Sequence, residues 1–435
     1  MVPKPSTVSA DSALTRRQCL AAGIATASLA GVPAAGAQSG AEPPGVTQRR
    51  FYENLPVTAT ADRHGEGRII VGRTGGEYPT ADDPVRVALT DGRGAIEQRA
   101  SFTPELPDDA HAAPDVVRTE DGYAVAAGPW LARLDSDLSL RTTGKHGGDI
   151  GAAKGTRLVS IPDGFVAGFT EWLPNAFWTW LVGFDADGGY RWHREVDTNG
   201  SQALEFLLPD GDGVLAGGTF PWLREFDADG SSRGIDLPDD LPDAALNAAV
   251  RDDDGLVLCS GNGAVRLDSS YGIDWTREYD ALGDEYADGI TPTSDGGYLF
   301  RTTPVESGDL TLAKANADGE LQWHHSYRVG TETGAEIHTL TELSAGEYLL
   351  AGGANRSMDG WAIEFSATET PTPGPTATPA PTTTPDSTPT ATAPAPTDTP
   401  TVAASTTTTG SGFGIVAAGA ALAGTLAAAL RRADD

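Results

Sequence analysis

The chain has 435 residues, with 61 acidic side chains against 30 basic ones and a formal net charge of −31. That length holds one large domain or two to three average ones, and 39% hydrophobic content allows a sizeable core. The 53 Gly and 30 Pro argue against a mainly helical protein, and a surface this acidic repels a phosphate backbone, which excludes general nucleic-acid binding.

The first predicted element is a leader over residues 1–37. Thr15-Arg16-Arg17-Gln18-Cys19-Leu20 precedes an apolar run from Ala21 to Ala30, and small residues end at Ala35-Gly36-Ala37. A charged region, an apolar stretch and an A-x-A site make the plan of a signal peptide, with cleavage expected after Ala37. The pair Arg16 and Arg17 resembles a twin-arginine leader, whose export machinery carries folded proteins. Cys19 starts the apolar run and leaves with the leader, so the mature chain keeps only Cys259 and no internal disulfide. Cys259 ends the apolar run Leu256-Val257-Leu258-Cys259 and reads as an inert core thiol.

Between residues 65 and 366 one phrase recurs: a turn, then an apolar strand ending in small residues. Asp121-Gly122-Tyr123-Ala124-Val125-Ala126-Ala127-Gly128 is one copy, and Asp163-Gly164-Phe165-Val166-Ala167-Gly168 and Asp212-Gly213-Val214-Leu215-Ala216-Gly217-Gly218 are others. Asp254-Gly255-Leu256, Asp295-Gly296-Gly297-Tyr298 and Gly346-Glu347-Tyr348 continue the series, and Gly67-Arg68-Ile69-Ile70-Val71-Gly72 is the weakest copy. A second strand follows each anchor and runs into an acidic turn, as at Asp185-Ala186-Asp187-Gly188, Asp227-Ala228-Asp229-Gly230 and Asn316-Ala317-Asp318-Gly319. Asp-Gly between alternating strands is a hairpin signal, because Gly accepts the positive φ of the turn. Counted from the anchor, a third strand places Trp192, Trp275 and Trp323 just after the turn, and one more strand precedes the next anchor, so that each anchor is the second strand of its blade.

Four short strands repeated seven times predict an all-β fold: a seven-bladed β-propeller with four-stranded blades over residues 38–366. The phrase resembles the repeats of secreted prokaryotic propellers with quinoprotein-like and WD40-like folds. The last copy lacks its outermost strand. Residues 46–52, Val46-Thr47-Gln48-Arg49-Arg50-Phe51-Tyr52, resemble the outer strand Leu321–Tyr327 and are expected to complete the seventh blade. Trp130, Trp180, Trp222 and Trp361 then recur on third strands and Trp192, Trp275 and Trp323 on fourth strands, which makes them blade core.

No catalytic, cofactor-binding or metal-ligating set emerges. The Asp-x-Asp-Gly turns carry two carboxylates each, where a calcium loop needs three or more and a closing ligand. Gly230-Ser231-Ser232-Arg233-Gly234 matches G-x-S-x-G but follows a hairpin turn, not the strand-to-helix elbow such a nucleophile needs. His324 and His325 are neighbours on a strand and point to opposite faces. Asn199 and Asn355 begin glycosylation sequons. One stretch breaks the lattice: Trp172, Phe177 and Trp178 are extra aromatics in a predicted loop between a second and a third strand, and form the candidate ligand patch for a glycan or a protein.

Residues 367–411 are almost only Thr, Pro, Ala and Ser, a disordered stalk of the composition that carries O-glycans. Residues 412–435 hold an uncharged run from Ile415 to Leu430 ending at Arg431-Arg432, read as one C-terminal transmembrane helix with its basic end inside the cell. The order of stalk, Gly-Phe pair, apolar segment and basic tail resembles the PGF-CTERM signal of archaeal surface proteins, although Ser411 stands where the family has Pro. That resemblance implies an archaeosortase as processing partner. Only Lys4, Lys145, Lys154 and Lys314 are lysines, and this acidic, Lys-poor composition resembles haloarchaeal proteins. The expectation is a membrane-anchored binding or interaction module on the extracellular face of the cell. The alternative is an extracellular enzyme on the same ring, a quinoprotein-like oxidoreductase or a carbohydrate-active hydrolase, which would require carboxylates, His or Arg converging at one channel mouth.

Overall fold

A computed structural model describes residues 43–366 apart from short connecting segments at 75–79, 81, 108–110, 147–152, 174–175, 197–201, 220, 242–244, 253–254, 283–285, 303–308, 329–334 and 355–358. The leader with Arg16, Arg17 and Ala37, the stalk, the C-terminal segment, Asn199 and Asn355 lie outside the described residues. Among the described residues, twenty-eight strands form seven antiparallel four-stranded sheets. Apart from one turn of 3-10 helix at Asp280–Leu282, no helix occurs among the described residues.

Each sheet is one blade. Blade 1 is Ala59–Asp62, Arg68–Arg73, Val85–Thr90 and Ile96–Phe102, in spatial order from inner to outer strand. The inner strands adjoin one another in chain order, and that of blade 7, Ala335–Ser344, returns to that of blade 1. This closed series is the ring of a seven-bladed propeller, and it leaves only short, protected sheet edges at the axis. Burial falls outward. The second strand Gly122–Ala127 is buried throughout, while the outer strands Leu140–Lys145 and Ser232–Gly234 are almost wholly exposed. Every repeat anchor is the second strand of its blade, where small residues let neighbouring sheets approach.

The closing strand is the one expected. Gly45–Tyr52 pairs antiparallel with Gly360–Ser366 as the outer strand of blade 7, with Arg50 opposite Ala362 and Tyr52 opposite Gly360. The chain then crosses directly into blade 1. Tyr52 is buried and its hydroxyl donates to the Gly94 carbonyl of blade 1 at 3.2 Å. Tyr327 of blade 6 donates to the Pro44 carbonyl at 2.6 Å. The strand therefore ties three blades together.

The core is a set of packets between blades, not one central mass. Leu299, Leu312, Trp323, Leu350 and Phe365 fill the space between blades 6 and 7, and Ile70, Ala88, Leu349 and Ala362 that between blades 7 and 1. The seven repeated tryptophans occupy the third and fourth strands predicted for them. Trp192 shows what such a residue does. Its ring packs on the turn of the next blade, where a Cβ at Gly230 would sit 2.7 Å from the indole, and its Nε1 donates to the Ala228 carbonyl at 2.8 Å. Gly230 also has φ +78°, so both the turn and the close approach require glycine.

Candidate functional site

Inner strands begin, and second-to-third-strand turns lie, on the same face of the ring, together with the connections between blades. Two features of that face stand out from the lattice. The first is the hairpin of blade 3. Its strands Gly164–Leu173 and Ala176–Asp185 have ten residues each, against five to eight in the corresponding strands of the other blades. The register is continuous from Gly164↔Asp185 to Leu173↔Ala176, so the added length is all at the turn end. Its ladder of paired residues is therefore the longest of its kind among the described residues.

This corrects the reading of Trp172, Phe177 and Trp178 as a loop patch. All three lie in paired strand, with Trp172 opposite Phe177 and Glu171 opposite Trp178. Strand alternation puts Phe177 and Trp178 on opposite faces, so the aromatics do not form a single patch. Phe177 is half-buried, whereas Trp178 is 37% exposed and shares its face with Trp180. The Trp180 Nε1 donates to the buried Glu171 carboxylate at 2.9 Å.

Neighbouring strands extend that face. The Trp180 ring lies 6.0 Å from the imidazole of His193, on the outer strand Tyr190–Val196. The His193 ring lies 4.1 Å from that of His146, which follows the outer strand of blade 2. The hydroxyl of Tyr190, itself 41% exposed, is 2.7 Å from His193 Nδ1. Burial holds the His146 pKa below the ordinary histidine value, and His193 pushes it the same way. The result is a strip of tilted aromatic and imidazole rings along one sheet face, from Trp178 near the turn of the hairpin to Tyr190 at the other end of the strands. Sequence reading located Trp178 but missed Tyr190, His193 and His146, whose only signal is membership of adjacent outer strands.

The second feature is a ring of polar side chains near the channel mouth. Asp115, Arg157, Glu205, Asn247, Asp288 and His338 sit one per blade on the inner strands of blades 2 to 7, and all are buried. Glu205, Asn247, Asp288 and His338 each fall at a break in register, where one extra residue bulges from the ladder. Several bind the next blade. Asp115 accepts from Leu158 N at 2.8 Å, Arg157 Nε donates to the Glu205 carbonyl at 3.1 Å, and Asn247 donates to the Ala287 carbonyl at 3.1 Å. Arg301, on the second strand of blade 6, donates to the Ile337 carbonyl at 2.6 Å and lies 3.7 Å from Asp288 Oδ1. Gly289 makes room for it, since a Cβ there would meet Arg301 Nε at 2.1 Å.

These charges act on one another across the axis. Burial pushes the Glu205 carboxyl up to about 8, opposed by Arg157 and reinforced by Asp288. Burial pushes Asp115 up to about 6, against the hydrogen bond from Leu158 and the Arg157 charge. Burial lowers Arg157, and Arg301 from blade 6 adds to that. Glu205 Oε2 and Arg157 Nη2 are buried without a hydrogen-bond partner. Convergence of this kind is what the enzyme alternative requires. The sequence carries a faint signal for it: each ring residue stands seven to nine positions before the glycine that opens the next strand.

The remaining candidates have structural occupations. Asp185 Oδ1 accepts from the amides of Asp187 at 3.0 Å and Gly189 at 2.7 Å, and Asn316 Oδ1 accepts from those of Asp318 and Glu320. Their oxygens hold the hairpin turns. Asp252 pairs with Arg266 and accepts from the Tyr298 hydroxyl at 2.6 Å. Ser232 lies on the short exposed strand Ser232–Gly234 and receives a bond from Arg224 at 3.1 Å. His324 and His325 lie on the outer strand of blade 6, the latter stacked edge-on with Tyr327 at 4.6 Å. Cys259 is fully buried, and burial raises its thiol pKa far above the ordinary value. Among the described residues no group of three or more His, Cys, Asp or Glu could hold a metal ion.

No family model and no curated protein matches the sequence. Solved structures do. BamB from Moraxella catarrhalis is similar at 13% identity and a TM-score of 0.41, over 71% of this chain and 85% of that one. The WD40 domain of Pan2 from Neurospora crassa is similar at 10% identity and a TM-score of 0.47, over 72% and 90%. At these identities the likeness is one of fold.

Proposed function

We propose that this chain is a cell-surface interaction module that binds an extracellular partner through the long paired hairpin of blade 3. The twin-arginine leader carries the folded ring out of the cell, cleavage follows Ala37, the stalk of residues 367–411 spaces the ring from the membrane, and residues 412–435 anchor it. The observation that carries the binding reading is the exposed Trp178 on the hairpin with the longest paired ladder of its kind among the described residues, with the exposed Tyr190 on the same sheet face about 20 Å further along it. Trp and Tyr side chains are among the usual anchors of an interface.

The test compares two baits, the mature wild-type chain and its Trp178→Ala, Tyr190→Ala double variant, against solubilised surface material of the same cells. A partner retained by wild type and weakened at least about tenfold in the variant supports the reading. Identical retention by both removes it. Export and anchoring are tested apart from binding. Arg16→Lys with Arg17→Lys should block secretion, and deletion of residues 412–435 should release the protein to the medium.

The second reading is an extracellular enzyme, favoured by the raised carboxyls of Glu205 and Asp115 beside Arg157. Perturbed carboxylates cluster at catalytic sites, but buried ion networks also perturb them. The bonds from ring residues to the backbone of the next blade favour a structural role.

A further inference from the structure

The outer parts of blades 2 and 3 meet along a seam whose two ends are unlike. At the blade 3 turn of residues 185–188 the seam is pinned. Arg133 of blade 2 donates to the Ala186 carbonyl, and Thr142 Oγ1 donates to that of Asp187. Gly144 lies so close that a Cβ there would sit 1.9 Å from the Gly188 carbonyl oxygen. Further along, no backbone is held. His146 of blade 2 instead stacks against His193 and Tyr190 of blade 3, with ring centroids 4.1 Å and 5.2 Å away.

This stack has a place for one added proton but not for two. His193 Nδ1 lies 2.7 Å from the Tyr190 hydroxyl, which donates to a neutral ring and accepts from a charged one. His146 Nδ1 is buried and has no hydrogen-bond partner, so a proton there is a buried donor without an acceptor. A second positive ring 4.1 Å away adds repulsion. The charged groups around the pair do not neutralise it. Glu195 shares the face of His193 by strand alternation but is exposed, as is Arg191. Arg194 takes the opposite face and donates to the Gly230 carbonyl at 2.8 Å. Across the sheet, the Glu171 carboxylate accepts from Trp180. On blade 2, Lys145 pairs with Glu105 and Arg133 serves the turn. Burial first and His193 second hold the His146 pKa below the ordinary 6.5.

We infer that the seam between blades 2 and 3 is an acid-sensitive joint, which the stacked rings of His146 and His193 close near neutral pH and which opens when both are protonated. The pinned end holds, while the strip from Trp178 to Tyr190 loses its blade 2 side and the packing that orients Tyr190. Acid therefore weakens the hold on a partner. That consequence rests on the reading of Trp178 and Tyr190 as anchors, whereas the joint itself does not.

Amide hydrogen exchange of the mature chain at pH 7.5 and pH 5, corrected for the intrinsic effect of pH, reads the joint directly. Protection of the outer strands Leu140–Lys145 and Tyr190–Val196 should fall in acid. The fall is up to about tenfold per pH unit, the limit for one proton taken up on opening. The outer strand of blade 5, Ile273–Glu278, belongs to a blade without histidine and should keep its protection. His146→Phe keeps a ring and removes the titrating group, so both strands should stay protected at pH 5. His193→Phe should keep them protected in part, and carries the test if His146→Phe does not fold. Asp115 and Glu205 also titrate in this range, but a response that comes from them persists in both variants. Unchanged protection in wild type overturns the joint. So does an acid response that the variants share in full, or one of equal size in Ile273–Glu278. Retention of solubilised surface material by the wild-type bait is read at the same two pH values. A loss in acid that His146→Phe cancels supports the effect on binding. Undiminished retention while the strands open refutes that effect and leaves the hairpin reading intact. Equal retention by the Trp178→Ala, Tyr190→Ala bait at pH 7.5 removes the hairpin reading and the effect on binding, and leaves the joint standing on exchange alone.

Discussion

Glu205 is a carboxylic acid whose chemistry departs far from its ordinary state. Its carboxyl is buried, one oxygen lacks a partner, and its pKa rises to about 8 from an ordinary 4.5. Folding therefore favours the protonated form. Such a group contributes stability that is fully present below pH 4.5 and is lost as pH rises through 8. At about 1.4 kcal/mol per pKa unit the cost above that range is a few kcal/mol. Glu205→Gln should therefore melt higher than wild type at pH 8.5 and lose that advantage near pH 4.5. Parallel melting profiles for the two proteins across that range would show that the side chain does not titrate on folding. His146 has the opposite sign. Its pKa is lowered by burial and by His193, so protonation opposes the packed pair and the associated stability is lost as pH falls below the ordinary histidine value. Proton NMR should place its midpoint below 6.5, and His193→Phe should move it upward by removing a like charge. A midpoint unmoved by that change would leave burial as the whole cause.

At the scale of elements, the closing strand is the sharpest case. Removing residues 45–52 from the chain would expose the edge of Gly360–Ser366, empty the site of Tyr52 and cut the tie to Pro44. Burial of one large side chain contributes about 1.5–3 kcal/mol, and the lost ladder and edge protection add to it. With about 2–4 °C per kcal/mol in a domain of this size or somewhat less, the melting temperature should fall by roughly 10 °C. An unchanged transition by calorimetry would mean that the ring closes without its clasp. This strand could be read from the sequence because the repeats count strands: a seventh copy that ends at Phe365 is one strand short, and Val46–Tyr52 has the composition of an outer strand. The hairpin of blade 3 was harder to read. Pro174-Asn175 and crowded aromatics look like a loop, and nothing local says that Trp172 and Phe177 keep the strand register. The polar ring was harder still. Each member is one ordinary polar residue in an apolar strand, and only closure of the propeller brings Arg157 within reach of Glu205 and Arg301. Local turn chemistry is written in the repeat, whereas sites made between blades exist only after the ring has closed.

The molecule as a whole carries a charge of −31, and its exposed outer strands hold much of the contact with solvent. Like charges this dense destabilise a compact state through self-repulsion. A propeller feels this strongly because its core is divided into thin packets between blades, each of which must hold two sheets together. Salt shortens the range of repulsion from about 10 Å at 0.1 M to about 3 Å at 1 M. The exposed ion pairs, such as Lys145–Glu105 and Arg141–Asp121, weaken under the same screening. They contribute little individually, about 0–1 kcal/mol each, so release of the net repulsion dominates. Melting temperature should therefore climb steadily with potassium chloride from low salt to molar salt. Sucrose at matched osmolality should raise it less, because it excludes itself from the surface without screening charge. Equal gains in sucrose and in salt would assign the effect to surface exclusion, and a fall with salt would mean that the ion pairs outweigh the repulsion. The salt rise belongs to the whole ring, so it should survive in Trp178→Ala, where binding changes but the charge does not.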